Sequence, residues 1–392
     1  MSDFQLDFND TKTAFGDKSN TELRQKYKLF KMLNSTFLNN FGTRATELAL
    51  GLGLPVSWLI KRTVFEQFCG GENIKECQPT IDKLAASGIG TILDYSIEGK
   101  ALESEFDLVR DEIMRNLKRA KDDDDIPFAV FKTTGIAPLG TLEKVSSNAD
   151  LMKDSNKIKW KNAQRRVHEI CEYAASIDQS VFIDAEESWI QPAIDSLVTQ
   201  MMEEFNKSRA IVFNTLQMYR TDRLEYLKAS HEEAKKAGYF YAVKLVRGAY
   251  MEKERERAEE MGYESPIQPD KASTDKDFDA ATEYCLDNLD TISFVAATHN
   301  ETSVQRLAKL MDERNVPNNR EGVYFSQLYG MSDNLSYILA AKGYNVTKYV
   351  PYGPVEDAIP YLIRRARENT SVMGHMSREL ELIKKELVRR GI

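Results

Sequence analysis

The chain has 392 residues, of which 42% are hydrophobic and 29% charged, a composition that indicates a folded globular protein and excludes a disordered chain. Lys and Arg number 53 and Asp and Glu 61, so the net charge is −8 and general nucleic-acid binding, which needs a basic surface, is not expected. The four cysteines, Cys69, Cys77, Cys171 and Cys285, have no metal-binding spacing and are too few for a disulfide scaffold. We therefore expect a reducing compartment and no metal site.

The first 85 residues are predicted to form a helical arm, because they carry helix-spaced apolar residues and few strand-like runs. The N-terminus has the features of neither a signal peptide nor a mitochondrial presequence. The longest apolar run, 48–60, contains Gly51, Gly53 and Pro55 and is too short to span a bilayer, which needs about 20 residues. This favours a buried helix and turn over a segment at a membrane interface.

From about residue 90, short β-rich runs alternate with longer amphipathic stretches, as in β/α units around a parallel sheet. The eight runs are 91–95, 128–133, 180–184, 210–216, 241–246, 292–298, 323–327 and 346–350. Eight strands close a (β/α)8 barrel, so we predict an α/β TIM-type barrel with an N-terminal helical extension. The predicted domains are a helical arm over 1–85, the barrel over 86–372 and a helical tail over 373–392.

Several stretches between the strands carry expectations of their own. We expect a solvated loop at 121–125, a solvent-exposed charged helix face over 252–260 and a long loop over 265–277. The four histidines of the chain form no metal cluster, and His231 and His375 are expected at the surface.

Polar residues collect at the predicted carboxyl ends of the strands, where barrel enzymes hold their active sites. A barrel core is built from branched apolar residues, and a buried lysine or aspartate must be paired. Prominent among these polar residues are Lys132, Asp184, Gln217, Lys244 and His299. Together they predict a functional site at this end of the barrel.

The last helix of the barrel is predicted over about 357–369 and carries a second polar pattern. Tyr361, Arg364, Arg365 and Glu368 lie at i, i+3, i+4 and i+7 and share one face. Two neighbouring guanidinium groups suit a carboxylate or a phosphate, which each grips through a planar fork.

Six motifs, taken together, resemble the proline dehydrogenase family. They are IDAEE (183–187), VKLVRGAYMEKER (243–255), ATHN (297–300), QLYGM (327–331), YVPYGP (349–354) and YLIRRARENTS (361–371). The resemblance spans about residues 90–372, and the chain is similar to a monofunctional, FAD-dependent member of the family. It implies oxidation of L-proline to 1-pyrroline-5-carboxylate by hydride transfer from C5 to flavin N5, the first step of proline degradation.

The resemblance also implies a substrate site. Arg364 and Arg365 would hold the carboxylate of proline, and Lys132 would supply a third cation. Asp184 would orient Lys132 or the tyrosines of the site. The residues that would pack on the pyrrolidine ring are Tyr250, Leu328, Tyr349 and Tyr361.

For the cofactor, the resemblance implies that Gln217 meets the pyrimidine edge of the flavin and that Lys244 lies near N5. Several bacterial members carry arginine at the position of Lys244, so the charge is kept and the planar fork is lost. Glu98 would act as a gate by pairing with Arg247 or an arginine of the last helix. The remaining cofactor contacts would come from Val246, Gly248, Ala249, Thr298, His299 and Glu368.

The partners implied by the resemblance are a membrane quinone as electron acceptor and a pyrroline-5-carboxylate dehydrogenase. A cytoplasmic protein at the inner face of a bacterial membrane is expected, or one at the mitochondrial inner membrane in a eukaryote.

Three alternatives stay open at this point. The first is a hydroxyproline dehydrogenase of the same family, although Tyr349 would crowd a 4-hydroxyl group. The second is a barrel lyase or aldolase that forms a Schiff base on Lys132 or Lys244. The third is a non-enzymatic scaffold that docks on membranes through residues 1–85.

Overall fold

The structure is a computed structural model that describes residues 6–33, 64–95, 102–121, 123–148, 154–358, 361–362 and 373–392. The apolar run at 48–60 lies outside the described residues, as do Glu98, Arg364, Arg365 and Glu368.

Eight strands close into a barrel in chain order. They are β1 (Ile89–Tyr95), β2 (Phe128–Lys132), β3 (Ser180–Asp184), β4 (Val212–Gln217), β5 (Tyr241–Val246), β6 (Ile292–Ala297), β7 (Val323–Leu328) and β8 (Val346–Tyr352). The assigned pairs are parallel, among them β1 with β8 and β2 with β3. The predicted TIM-type barrel is confirmed, and its strand bounds differ from the predicted ones by at most two residues.

Helices precede the first strand, connect the strands and follow the barrel. They are α1 (Thr11–Ala14), α2 (Asn20–Leu33), α3 (Glu66–Phe68), α4 (Gln78–Ala85), α5 (Glu103–Ala120), α6 (Leu139–Asn148), α7 (Asp154–Ser176), α8 (Gln191–Phe205), α9 (Arg223–Ala237), α10 (Met251–Met261), α11 (Lys271–Asp287), α12 (Glu301–Glu313), α13 (Asp333–Ala341) and α14 (Met373–Arg390). A 3-10 turn (Thr133–Gly135) follows β2. Residues 355–358 are also helical, so the last barrel helix begins at least two residues before the predicted position 357.

The described residues form two compact units. The first lies between Gly99 and Ser326, and its interior contains an aromatic layer. The Phe128 ring stacks on Phe182 at 4.4 Å and meets Tyr324 edge-on at 4.9 Å. Since β2 and β7 are not neighbours, the second contact crosses the interior of the barrel. Side chains two residues apart on a strand share a face, so Asp184 follows Phe182 on the inner face of β3.

The second unit contains the described residues of Gln5–Glu98 and Gln327–Ile392. Its apolar core joins α2 and α14 through buried side chains that include Leu23, Phe30, Leu382 and Ile383. The predicted helical character of the N-terminal segment is seen in α1 to α4, whereas the domain bounds at residues 85 and 372 stay predictions.

Two expectations about connecting segments are wrong. The loop predicted over 265–277 ends at Asp270, because the Asp270 side chain accepts the N–H of Ser273 and caps α11. His231 was expected at the surface, but it is fully buried on α9. Its ring nitrogens lie 2.9 Å from the Tyr284 hydroxyl and 2.8 Å from the Thr291 hydroxyl, which satisfies both nitrogens inside the protein.

Candidate active site

Asp184, the last residue of β3, brings two lysine side chains together. Its carboxylate accepts a hydrogen bond from the ammonium group of Lys244, and Lys132 Nζ lies 3.6 Å away. The register of the strands places Lys132 directly opposite Asp184. Asp184 and Lys244 are 8% and 4% exposed, so little water weakens their attraction. Three residues that the resemblance assigned to substrate and cofactor therefore lie in one largely buried cluster.

Lys132 differs from Lys244 in how closely it is held. Its contact with Asp184, at 3.6 Å, is an ion pair that is too long to be a hydrogen bond. Its side chain is 16% exposed, against 5% for that of Lys244. Because its ammonium group donates hydrogen bonds and its side chain is the more exposed of the two, Lys132 is the lysine of the pair that is more accessible to an anion.

Glu186 joins the loop after β3 to the loop after β2. Its carboxylate accepts the Thr134 N–H at 2.9 Å and also the Thr134 hydroxyl. Burial raises the pKa of Glu186 to about 7, although the two hydrogen bonds from Thr134 act to lower it. Glu186 lies two residues after Asp184, and its partner Thr134 lies two residues after Lys132. A carboxyl group with a pKa of about 7 is thus linked to both members of the Lys132–Asp184 pair.

Gln217, the last residue of β4, is fixed at both ends of its amide. Nε2 donates to the carbonyl oxygen of Glu186 at 2.7 Å, and Oε1 accepts the N–H of Ala249 at 3.1 Å. The side chain therefore bridges the segments that follow β3 and β5. Each amide end retains capacity for one further hydrogen bond, so the side chain can serve a ligand in this fixed orientation.

The backbone after β5 packs closely on Tyr219. Gly248 has a φ of +135°, and a Cβ atom at this position would lie 2.6 Å from ring atoms of Tyr219. The carbonyl oxygens of Val246 and Arg247 accept the N–H groups of Met218 and Tyr219 at 2.8 and 2.7 Å. Only glycine fits at position 248, so this segment exposes main chain rather than a side chain.

Arg247 has several partners within the first unit. It donates to Asp275 Oδ1 at 2.7 Å, to Thr298 Oγ1 at 2.5 Å and to Ser303 Oγ at 2.8 Å. The guanidinium group thereby links the end of β5 to α11 and to the end of β6. The predicted gate contact with Glu98 falls outside the described residues and stays a prediction.

Thr298 and His299 follow β6. Thr298 Oγ1 accepts both from Arg247 and from the Asn300 N–H at 3.1 Å, which ties the end of β6 to the guanidinium group. His299 is half-buried. Asn300 caps α12 by accepting the N–H groups of Thr302 and Ser303, which holds the motif at the start of the helix.

Glu254 corrects the expectation of a solvent-exposed charged face on α10. The side chain is fully buried, and its two oxygens accept the N–H and the hydroxyl of Ser188, each at 2.6 Å. On the same helix, Lys253 binds Glu187. Most other charged residues of α10 are exposed as predicted. A run of charged residues has no apolar periodicity, so the inward-facing position of Glu254 could not be predicted from the sequence.

Three residues that organise this region were missed by sequence reasoning: Thr134, Glu254 and Asp275. Two of them lie in or beside recognisable motifs, since Glu254 belongs to the run 243–255 and Thr134 follows Lys132 by two residues. Asp275 lies in the stretch 265–277, which the sequence predicts as a loop. Its place on α11, which brings it to Arg247, was therefore not expected.

In the second unit, the last residue of β7 and a residue of β8 are ones that the resemblance assigned to the substrate ring. Leu328 ends β7, and Tyr349 of β8 is 9% exposed. The N–H of Tyr329 donates to the Tyr349 carbonyl at 2.9 Å, which ties the end of β7 to β8. Tyr361 is buried in the apolar core of this unit. Tyr250 lies in the first unit, half-buried, at the start of α10.

The described residues lack two kinds of feature. No group of three or more His, Cys, Asp or Glu side chains there could hold a metal ion. None of the helices in the described part combines the length and the apolar character that a membrane crossing requires.

Comparisons with known proteins agree with the geometry. A family model described as proline dehydrogenase matches residues 77–378. The carbapenem antibiotics biosynthesis protein CarD of Pectobacterium carotovorum subsp. carotovorum is 36% identical over 323 residues, covering 82% of this chain and 83% of that protein. Mitochondrial proline dehydrogenase 1 of Dictyostelium discoideum is 32% identical and covers 97% of this chain and 74% of its own length.

Among solved structures, proline utilization A from Bdellovibrio bacteriovorus, inactivated by N-propargylglycine, superposes with a TM-score of 0.70. The identity is 22%, and the match covers 92% of this chain. This chain spans 38% of the length of that protein, so the likeness concerns the fold of one part of it.

Proposed function

We propose that this chain, which belongs to the proline dehydrogenase family of proline catabolism, oxidises L-proline to 1-pyrroline-5-carboxylate with FAD as its cofactor. The observation that carries the proposal is the largely buried cluster of Lys132, Asp184 and Lys244, in a chain whose family model covers 77–378. Lys132 and Asp184 end the neighbouring strands β2 and β3, and Lys244 reaches Asp184 from within β5. Such a cluster offers cations for an amino-acid carboxylate and for an electron-accepting ring.

The residues of the first unit fit a flavin that is bound largely through main chain. Gly248 leaves the backbone without a side chain, and Gln217 presents an amide whose orientation is fixed at both ends. Val246, Gly248 and Ala249 would hold the cofactor by backbone groups. Gln217, Lys244, Thr298, His299 and Glu368 would hold it by side chains. When bound, the flavin supplies the two-electron acceptor that oxidation of a carbon–nitrogen bond requires.

The chain's own residues bind and orient the substrate. Lys132, with Arg364 and Arg365, would grip the carboxylate, and Asp184 would hold Lys132 in place. Tyr250, Leu328, Tyr349 and Tyr361 would pack on the ring. Exclusion of water by these apolar groups strengthens each ionic contact, and a fixed substrate orientation lowers the entropic part of the barrier.

The electrons would pass to a membrane quinone, and the product would pass to a pyrroline-5-carboxylate dehydrogenase. Several of the relatives are named as mitochondrial. We therefore propose a site of action at an energy-conserving membrane, with Glu98 and Arg247 as gate residues for the substrate.

The test compares Lys132→Met with Lys121→Met, which removes an exposed lysine on the approach to β2. A lost hydrogen bond to a charged group costs about 1.5–3 kcal/mol, so kcat/KM for L-proline should fall roughly 10- to 150-fold in the first variant. The second variant should match the wild type. Equal values of kcat/KM for the two variants would show that Lys132 does not bind the substrate. Trapping of a carbonyl substrate by borohydride on a colourless protein would favour the lyase alternative.

A further inference from the structure

Lys348 on β8 is a buried lysine to which the proposed function gives no role. It is 1% exposed, and its Nζ donates to the carbonyl oxygen of Met331 at 2.5 Å, with the Leu328 carbonyl oxygen at 3.4 Å. The same Nζ lies 3.1 Å from Asp333 Oδ1. A buried ammonium group is tolerated when it is paired and hydrogen-bonded. Lys348 therefore holds the turn between β7 and α13, residues 329–332, which we call the β7–α13 turn.

Asp333, the first residue of α13, is shared by further lysines from the N-terminal segment. Lys26 of α2 binds its Oδ2 at 2.6 Å, and Lys18 lies 3.4 Å from the same oxygen. Burial alone would raise the pKa of Asp333, but Lys18, Lys26 and Lys348 together hold it well below its ordinary value. The carboxylate is therefore ionised, and the cluster is a fixed arrangement of charges.

Lys26 also connects the C-terminal helix to the same turn. It lies 2.9 Å from Glu379 Oε1 of α14, and Glu379 Oε2 accepts the N–H of Ser332 at 3.0 Å. Ser332 has a φ of +50°, a conformation that a residue with a side chain adopts only when its surroundings impose it. The hydrogen bond from Ser332 to Glu379 is one of the contacts that impose it.

Gly330 fixes the middle of the β7–α13 turn. Its carbonyl oxygen accepts from Gln67 Nε2 at 2.8 Å, and a Cβ atom at this position would lie 2.0 Å from the Gln67 carbonyl oxygen. The turn and the residue before it are thus held by contacts at four of the five positions 328–332, namely Leu328, Gly330, Met331 and Ser332. Strand β8 supplies the charged part of this support through Lys348, and helices α2 and α14 supply it through Lys26 and Glu379.

We propose that the buried charge cluster of Lys26, Lys348, Asp333 and Glu379 positions Leu328, and so determines how strictly the enzyme discriminates L-proline from ring-substituted prolines. The inference rests on the proposed function, in which Leu328 packs on the pyrrolidine ring. It gives helix α2, far from Leu328 in sequence, a part in substrate specificity. These four residues are positioning residues, since none of them is assigned to substrate or cofactor.

The experiment compares Lys26→Met with Arg390→Met. Arg390 of α14 donates to the Phe15 and Lys18 carbonyl oxygens at 2.8 and 2.7 Å, so it also anchors the N-terminal segment, but through partners outside the β7–α13 turn. Both variants should lower the melting temperature. Only Lys26→Met should lower the ratio of kcat/KM for L-proline to that for 4-hydroxyproline, by at least about fivefold, since small ring substituents are discriminated by packing. Equal ratios in the two variants overturn the proposal.

A second measurement does not depend on activity. Amide hydrogen exchange at 329–332 should be at least about tenfold faster in Lys26→Met and in Glu379→Gln than in Arg390→Met, because local opening is resisted by the lost contacts. Glu379→Gln preserves shape and carries the test if Lys26→Met does not fold. Unchanged exchange refutes the positioning role even if the proposed function holds. Absence of proline oxidation by the wild type, with the predicted exchange difference present, would refute the proposed function alone.

Discussion

Replacement of Asp184 by asparagine should destabilise the protein. A second substitution, Lys244→Met, should restore much of the lost stability. Asp184 is 8% exposed, and the ammonium group bound to it, that of Lys244, belongs to a residue that is 4% exposed. Removal of the carboxylate takes away the ion-pair partner of the buried Lys244 ammonium group. Breaking a buried pair in this way costs about 3–5 kcal/mol. Lys132, which is more exposed, contributes less to the cost.

The assay is urea unfolding of Asp184→Asn, Lys244→Met and the double variant. We expect the double variant to regain at least half of the stability that Asp184→Asn loses, because it removes the uncompensated charge. The control pair is Glu225 and Lys228, which are 2.8 Å apart and have side chains that are 77% and 41% exposed. Glu225→Gln should change the unfolding free energy by less than about 0.5 kcal/mol. If the Asp184 and Lys244 substitutions simply add, the two residues are not a buried pair.

Two further predictions concern the same end of the barrel. The pKa of Glu186 is about 7 in the fold against an ordinary 4.5, so its contribution to stability is present below pH 4.5 and is lost as the pH rises through 7. The wild type should therefore lose roughly 3 kcal/mol relative to Glu186→Gln between pH 4.5 and 8, measured by urea unfolding, and a pH-independent difference would contradict this. Gly248→Ala should cost about 1–3 kcal/mol and lower the flavin content, because its Cβ would meet the Tyr219 ring. Gly140→Ala, at a position with open space around it, should change neither the stability nor the flavin content. Equal flavin content in the two variants would refute the role given to the close packing of Gly248 on Tyr219.

The barrel was predictable because its signal is carried by composition over whole strands. Runs such as 180–184 and 241–246 are apolar, short and flanked by helical stretches, and the structure places β3 and β5 at those residues. The start of α11 was harder to predict, because it depends on a single capping side chain. Asp270 ends the loop that was predicted to continue to 277, because one side-chain oxygen accepts the N–H of Ser273. A single hydrogen bond of this kind is not visible in a hydrophobic pattern.

For the polar residues of the candidate site, too, some features could be predicted from the sequence and others could not. Lys132 and Asp184 follow from the positions of strand ends, and the motifs at 183–187 and 243–255 marked Asp184 and Lys244. Their pairing does not follow, since it depends on the register of β2 against β3 and on the reach of a side chain from β5. Glu254 and His231 are buried by contacts with Ser188 and with Tyr284, residues more than 50 positions away in the chain. Burial of a charged or titratable residue by a distant partner leaves no local trace in the sequence.

The most direct test of flavin-dependent proline oxidation is an anaerobic absorbance spectrum of the purified protein before and after addition of L-proline. We expect a flavin spectrum in the untreated protein and bleaching of its visible band on addition of L-proline. A protein without flavin absorbance, or a flavin band that L-proline leaves unchanged, would contradict the proposed function.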